Sequence, residues 1–295
     1  MSLATWLRRM DAYERLIRLD KPAGIWLLLW PTLWGFFLAS RQYGFSLWVF
    51  WIFILGTILM RSAGCALNDF ADRRFDGAVA RTRQRPLATG EIRPLEALLV
   101  ALVLTVAAFF LVLPLGRLTV LLSLPALLLA ASYPYFKRFF AIPQAYLGVA
   151  FGFGIPMVFA AVQERVPALA WCLLLCNVLW TIAYDTAYAM VDREDDLKIG
   201  IRTSAITFGR HDVLAVALCH GLSIAGLLVI GVWQRYGASY FAGCLLAGGL
   251  AGLLVSRLKR REPAACFRVF LDNHWIGFII LVGIVGDYLI HRFAH

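Results

Sequence analysis

Long apolar runs dominate this chain, and they leave it few ways to fold. They fall at roughly 23–40, 44–67, 94–113, 117–136, 143–163, 168–190, 212–234, 237–256 and 271–290, about nine in all. A helix of about twenty apolar residues matches the hydrocarbon thickness of a bilayer. In lipid no water is at hand for the backbone, so each run must satisfy its own N–H and C=O groups as a helix. A soluble domain is excluded, since 61% of the residues are hydrophobic, only 16% are charged and the mean hydropathy is +0.75. The expected fold is therefore all-α: a polytopic membrane protein with residues 23–295 as one transmembrane domain.

The first 22 residues differ in kind. Leu3, Trp6, Leu7, Met10, Tyr13 and Ile17 recur at helical spacing opposite Arg8, Arg9, Asp11 and Arg15. That pattern predicts an amphipathic helix lying in the membrane interface, its cations towards anionic lipid. It lacks the apolar core and small-residue cleavage site of a signal peptide. The net charge of +10 does not imply nucleic acid. Most Lys and Arg fall in the N-terminal segment and in the loops after spans 2, 4, 6 and 8, whereas the other side holds Arg41, Arg117, Arg165, Arg235 and Arg292. This asymmetry places the N-terminus and the even-span loops in the cytoplasm and the C-terminus opposite. The six cysteines show no metal-type pairing with histidine, and Cys172 and Cys176 lie within a span as packing residues.

Two acidic clusters interrupt this pattern, and they repeat. Asp72 and Asp76 follow the second run; Asp192 and Asp196 follow the sixth, 120 positions later in each case. Both halves then enter the membrane in the same orientation. The expected architecture is two parallel four-helix repeats, about 23–138 and 143–257, plus a closing ninth helix at about 271–290. Such repeats commonly frame a substrate site at their interface. Asn68, Asp72 and Asp76 share one helical face, with Asp69 one position off it, and Asp192 and Asp196 form the equivalent pair beside Asp195. Carboxylates four apart on a helix repel one another, and at the end of an apolar helix they oppose its dipole. A divalent cation relieves both costs, and an all-oxygen donor set suits Mg²⁺ shared with substrate phosphates.

Cations suited to phosphate lie on the same side: Arg81, Arg83 and Arg85 after the first cluster, Lys137 and Arg138 after span 4, Lys198 and Arg202 after the second cluster. Loops at about 69–93 and 192–211, with Gly77, Gly90, Gly200 and Gly209, can close over a bound diphosphate. Asp185 lies inside a span, where a carboxylate is a functional candidate by default. Tyr184 and Tyr188 stand one turn apart above the second cluster, as core packing or as aromatic faces for a cation.

Asn68-Asp69-x-x-Asp72-x-x-x-Asp76, followed by Arg85-Pro86-Leu87, resembles the first signature of the UbiA superfamily of intramembrane prenyltransferases. The stretch Tyr184 to Asp196, continuing through Leu197-Lys198-Ile199-Gly200, resembles the branch that prenylates 4-hydroxybenzoate in bacterial ubiquinone synthesis. Lys21-Pro22 and Tyr133-Pro134-Tyr135-Phe136-Lys137-Arg138 are similar too, so the resemblance spans essentially the whole chain. It implies nine helices around a cavity in a bacterial inner membrane. It also implies Mg²⁺ between the aspartates and a polyprenyl diphosphate, with 4-hydroxybenzoate as acceptor. Arg138 falls where the family places a diphosphate-binding arginine. The benzoate carboxylate needs a cation, for which Arg15, Arg18 and Lys21 stand nearest span 1.

Three other functions compete. A phosphatidyl-alcohol transferase shares Asp76-Gly77-x-x-Ala80-Arg81, but Arg73, Pro94 and Leu98 stand where that signature needs aspartates. A secondary transporter also uses repeats and carboxylates, though nearer the bilayer midplane. Prenyltransferases acting on naphthoate, homogentisate or haem share the first motif and differ in the second.

Overall fold

The computed structural model describes residues 3–136 and 138–294; Lys137 lies outside the described residues. Among the described residues thirteen α-helices follow one another: α1 (Leu3–Ile17), α2 (Ala23–Tyr43), α3 (Leu47–Asp72), α4 (Pro94–Val112), α5 (Arg117–Phe136), α6 (Pro143–Gly152), α7 (Gly154–Gln163), α8 (Ala168–Ala189), α9 (Arg193–Ile199), α10 (Ser204–Phe208), α11 (Asp212–Trp233), α12 (Ala238–Leu258) and α13 (Pro263–Ala294). Among the described residues, nine helical segments are long and apolar enough to cross a membrane, with α6 and α7 together making one of them. The chain is a multi-pass membrane protein.

Neighbour relations recur along the chain. α3 packs on α2 and α4, and α8 packs on α6 and α11 in the same order; α13 then closes the bundle along both α12 and α2. In lipid, helix association depends on close packing rather than on an aqueous hydrophobic effect. The α12–α13 seam shows how this is met. A Cβ on Gly243 would lie 2.8 Å from the Gly283 Cα, so the two backbones touch only because both residues are glycine. Ser239 Oγ donates to the Gly283 carbonyl beside them, at 3.2 Å. Nearer the centre, Trp34 is fully buried, donates Nε1–H to the Gly277 carbonyl at 2.9 Å, and lies 5.4 Å from the Trp180 ring.

The fifth span breaks at Phe153 between α6 and α7. Pro156 removes an N–H in the first turn of α7, and Met157 N reaches the Phe153 carbonyl only at 3.5 Å. Glycines flank the break because neighbours crowd it: a Cβ on Gly154 would meet Thr32 Oγ1 at 2.6 Å.

Two expectations need correction at the helix ends. α3 runs to Asp72 and stops, so Asp76 does not continue the Asn68–Asp72 ladder; it opens a separate 3-10 turn, Asp76–Ala78. The stop is built by arginines, since Arg73 Nη1 donates back to the Phe70 carbonyl at 2.5 Å and Arg138 Nη2 to the Ala71 carbonyl at 3.1 Å. α8 likewise ends at Ala189, and Asp192 precedes the short helix α9 while Asp196 sits in its first turn. The dipole that was expected to oppose this second cluster favours it instead.

The amphipathic α1 also differs from expectation. Ala12 and Leu16 are buried against Ala66, Leu87, Ile92, Ala97 and Ala101. Arg9 pairs with Glu96 at 3.0 Å and Arg15 with Asp11 and Glu91, so these two cations are held by protein rather than turned to lipid. Leu3, Trp6, Leu7 and Met10 stay exposed on the other side of α1. The helix is a clip that pins the 85–93 loop to α3 and α4.

Candidate active site

α2 to α8 and α13, with Arg15 from α1, surround a cavity of about 910 Å³. One end is charged: Arg18, Lys21, Asn68, Arg81 and Arg85 line it. Its middle carries Tyr133, Tyr184, Asp185, Tyr188, Phe270 and His274, and its depth is apolar, with Ile52, Phe53, Val112, Phe153 and Met157. Tyr188 and Phe270 lie 4.3 Å apart, ring to ring, and Phe267 extends the same aromatic wall.

The aspartates stand one layer behind the charged end. Asp69, Asp72 and Asp76 are buried, at 0%, 3% and 5% exposure. Arg85 Nη1 lies 2.9 Å from both Asp76 oxygens and 3.0 Å from Asp69 Oδ1, while Arg18 Nη2 reaches Asp69 Oδ1 at 2.6 Å. Asp69 Oδ2 is buried with no hydrogen-bond partner among the described residues. Burial pushes the Asp76 carboxyl above its ordinary range, and Arg85 pulls against that shift.

The second cluster is joined to the first through the intervening loop. Arg81 forks onto Asp192, with Nε 3.0 Å from Oδ2, and its guanidinium lies 4.4 Å from the centre of the Tyr188 ring. Ala80 N–H donates to Asp195 at 3.3 Å and Lys198 Nζ donates to it at 3.2 Å. Together these hold the Asp195 carboxyl below its ordinary range, the Ala80 bond most strongly. Arg193 turns away and shares the fully buried Asp212 with Arg261, at 3.2 and 2.7 Å.

The expected site residues therefore fall into two layers. Lys21, Asn68, Arg85, Tyr184, Asp185 and Tyr188 line the cavity itself. Asp69, Asp72, Asp76, Asp192, Asp195, Asp196 and Lys198 lie behind or beside its mouth. Arg138 caps α3 and lies 5.0 Å from the centre of the Tyr135 ring, near the first cluster. Arg202 donates to the Phe139 carbonyl at 3.0 Å and does not line the cavity. Among the described residues, no three His, Cys, Asp or Glu side chains converge closely enough to hold an ion as they stand. Guanidinium groups hold these carboxylates instead: Arg85 bridges Asp69 and Asp76, Arg18 sits on Asp69, and Arg81 on Asp192. The donor set itself suits a hard cation, being all oxygen, buried, and with one Asp69 oxygen left without a partner.

One cavity residue escaped the sequence reading. Arg61 lies inside α3 and lines the cavity, packed against Gly24, where any Cβ would collide with its guanidinium. It donates to Cys65 Sγ at 2.6 Å and lies 5.7 Å from the centre of the Phe151 ring; its Nε is buried without a hydrogen bond, and among the described residues it forms no ion pair. A cation within an apolar run was the available signal. By contrast, two of the cations expected for a carboxylate are already engaged, Arg15 by Asp11 and Glu91 and Arg18 by Asp69.

A nine-span helical bundle around a charged-mouthed, apolar-bodied cavity is the architecture of an intramembrane transferase, and residues 28–280 match the UbiA prenyltransferase family. The chain belongs to that family. It is 58% identical over 285 residues to the 4-hydroxybenzoate octaprenyltransferase of Nitrosomonas europaea, covering 97% of each chain. To the enzyme of the same name from Aromatoleum aromaticum it is 57% identical over 286 residues, again covering 97% of each. Among solved structures, a UbiA homologue from Aeropyrum pernix K1 superposes with a TM-score of 0.79 at 23% identity, covering 90% of this chain and 97% of that one. A homologue from Archaeoglobus fulgidus, bound to GPP and Mg²⁺, gives 0.68 at 17% identity, covering 91% and 99%. At those identities the structures speak for the fold.

Proposed function

We propose that this protein transfers a polyprenyl group from polyprenyl diphosphate to the ring carbon ortho to the hydroxyl of 4-hydroxybenzoate, releasing diphosphate. The observation that carries the reading is the order of groups along one cavity: carboxylates and arginines at the mouth, an aromatic and acidic middle, an arginine with one buried free donor, and an apolar body. The names of its relatives support the acceptor. The charge asymmetry of the loops supports a bacterial inner membrane with the N-terminus and the cavity mouth cytoplasmic and the C-terminus opposite.

Asp69, Asp72, Asp76, Asp192 and Asp196, with Asn68, are the residues that would hold Mg²⁺. When bound, it supplies Lewis-acid neutralisation of the diphosphate, worth several kcal/mol to its departure. Arg81, Arg85 and Arg138, with Lys137 and Lys198, bind the diphosphate oxygens, and guanidinium forks stabilise the charge that develops there. Tyr188 and Phe270 present ring faces to the allylic carbon as its bond to oxygen breaks, and the apolar wall keeps water from it. Arg61 receives the benzoate carboxylate, which turns the hydroxyl end of the acceptor towards Asp185. Asp185 then orients the phenol and accepts its proton or the ring proton.

The test is reconstituted protein with labelled 4-hydroxybenzoate, a polyprenyl diphosphate and Mg²⁺, run beside EDTA and an Asp72→Ala variant. Prenylated product that vanishes in both controls is the expected result. Prenylation of naphthoate or homogentisate alone would move the acceptor, and no turnover of any aromatic acceptor by folded protein would refute the reading.

A further inference from the structure

Three arginines of the cavity mouth sit on carboxylates rather than facing the cavity freely. We propose that Arg85 and Arg81 serve two anions in turn: they hold the aspartates in the unloaded protein, and hand them over to the metal as they swing onto the diphosphate. This rests on the metal–diphosphate reading above and adds a separate property to it.

Arg85 Nη1 is the strongest part of the case. It touches both oxygens of Asp76 and one oxygen of Asp69, so a single cationic nitrogen sits where two buried carboxylates converge. Arg81 occupies the second cluster in the same way, through a fork onto Asp192. Without such partners, Asp69, Asp72 and Asp76 would crowd negative charge into a buried site, at a cost that grows as water is excluded. Both arginines also line the cavity, so a change of side-chain rotamer is enough to redirect either fork from aspartate to a ligand oxygen. The backbone need not move. Leu87 and Ile92 anchor the loop beyond Arg85 in a small core with α1, α3 and α4.

A merely structural ion pair and an exchanging one differ in sign. If Arg85 only supports the fold, removing it weakens every ligand. If it competes with metal and later binds diphosphate, removing it tightens the metal alone and weakens diphosphate in the presence of metal. The probes are Mn²⁺, followed by electron paramagnetic resonance on the purified protein without substrate, and inorganic diphosphate, titrated calorimetrically with Mn²⁺ saturating. For Arg85→Gln we expect Mn²⁺ to bind about tenfold tighter or more, the worth of losing one charge-assisted competitor. Diphosphate should bind about tenfold weaker. Arg85→Lys, which keeps a charge but not the fork, should fall between and guards against misfolding. Mn²⁺ affinity that is unchanged or weaker in folded Arg85→Gln and Arg85→Lys would overturn the proposal. Failure of the metal reading looks different: Asp76→Asn would then leave the wild-type Mn²⁺ affinity untouched.

Discussion

Replacing Arg61 with methionine keeps a side chain of similar reach against Gly24 and removes only the cation. Among the described residues the guanidinium pairs with no carboxylate, and its Nε is buried and without a hydrogen bond, so an incoming carboxylate finds a free donor there and competes elsewhere with the weak Cys65 Sγ acceptor. A hydrogen bond to a charged group in such surroundings is worth about 1.5–3 kcal/mol, and each 1.4 kcal/mol is tenfold. The KM for 4-hydroxybenzoate should therefore rise about 10- to 150-fold in Arg61→Met, while the KM for the diphosphate substrate stays put. The neutral acceptor 4-hydroxybenzamide supplies the matching arm. Wild-type protein should discriminate against it by a similar factor, and Arg61→Met should handle the two acceptors alike. The assay is steady-state prenylation in liposomes with each acceptor varied in turn. A variant that folds and shows a 4-hydroxybenzoate KM within about twofold of wild type would refute the assignment of Arg61.

Three further outcomes follow from the packing and charge. Asp212→Ala strips two arginines of a fully buried partner and should lower stability by about 1.5–3 kcal/mol, read as a fall in Tm; both arginines are partly solvated, which keeps the cost below that of a wholly buried pair. Gly243→Leu drives a side chain into the Gly283 backbone at a separation near 2.8 Å and should cost at least about 1–3 kcal/mol, again by Tm, whereas Gly249→Leu, with open space around its Cβ, should cost far less. The Arg15 hydrogen bond holds the Glu91 carboxyl below its ordinary 4.5, so its contribution is present above that value and is lost as pH falls through the lower, folded one. The Tm gap between wild type and Glu91→Gln should close on acidification and stay constant from neutrality down to about pH 5.5.

The spans were legible because lipid imposes one rule on every helix that crosses it, and apolar runs of the right length obey it visibly. What the runs conceal is charge that belongs inside. Asn68, Asp69 and Asp72 continue α3 beyond the apolar stretch, where the buried Asp69 carboxylate is met by guanidinium partners from residues 18 and 85. No local pattern announces such pairings. The same limit hid the break before Asp192: the aspartate spacing fits an unbroken helix as well as a turn followed by α9. Arg61 was the missed opportunity, since its position in the middle of an apolar run was visible without any structure. The role of α1 as a clip on the 85–93 loop was not visible, for Glu91 and Glu96 are unremarkable charges until Arg15 and Arg9 meet them.

α4 and α5 lend Val112, Ala126, Ala130 and Tyr133 to the cavity, yet they are the least enclosed of the spans, with only 22% and 11% of their apolar windows buried within the protein. Their other faces, Leu99, Leu102, Phe110, Leu121, Leu124 and Leu128 among them, are exposed. On this side the binding chamber is a wall one helix thick, and acyl chains are its outer lining. A wall this thin couples the chamber to whatever apolar phase packs against it, so a change from a membrane of matching thickness to a thin detergent micelle acts on the cavity through α4 and α5 first.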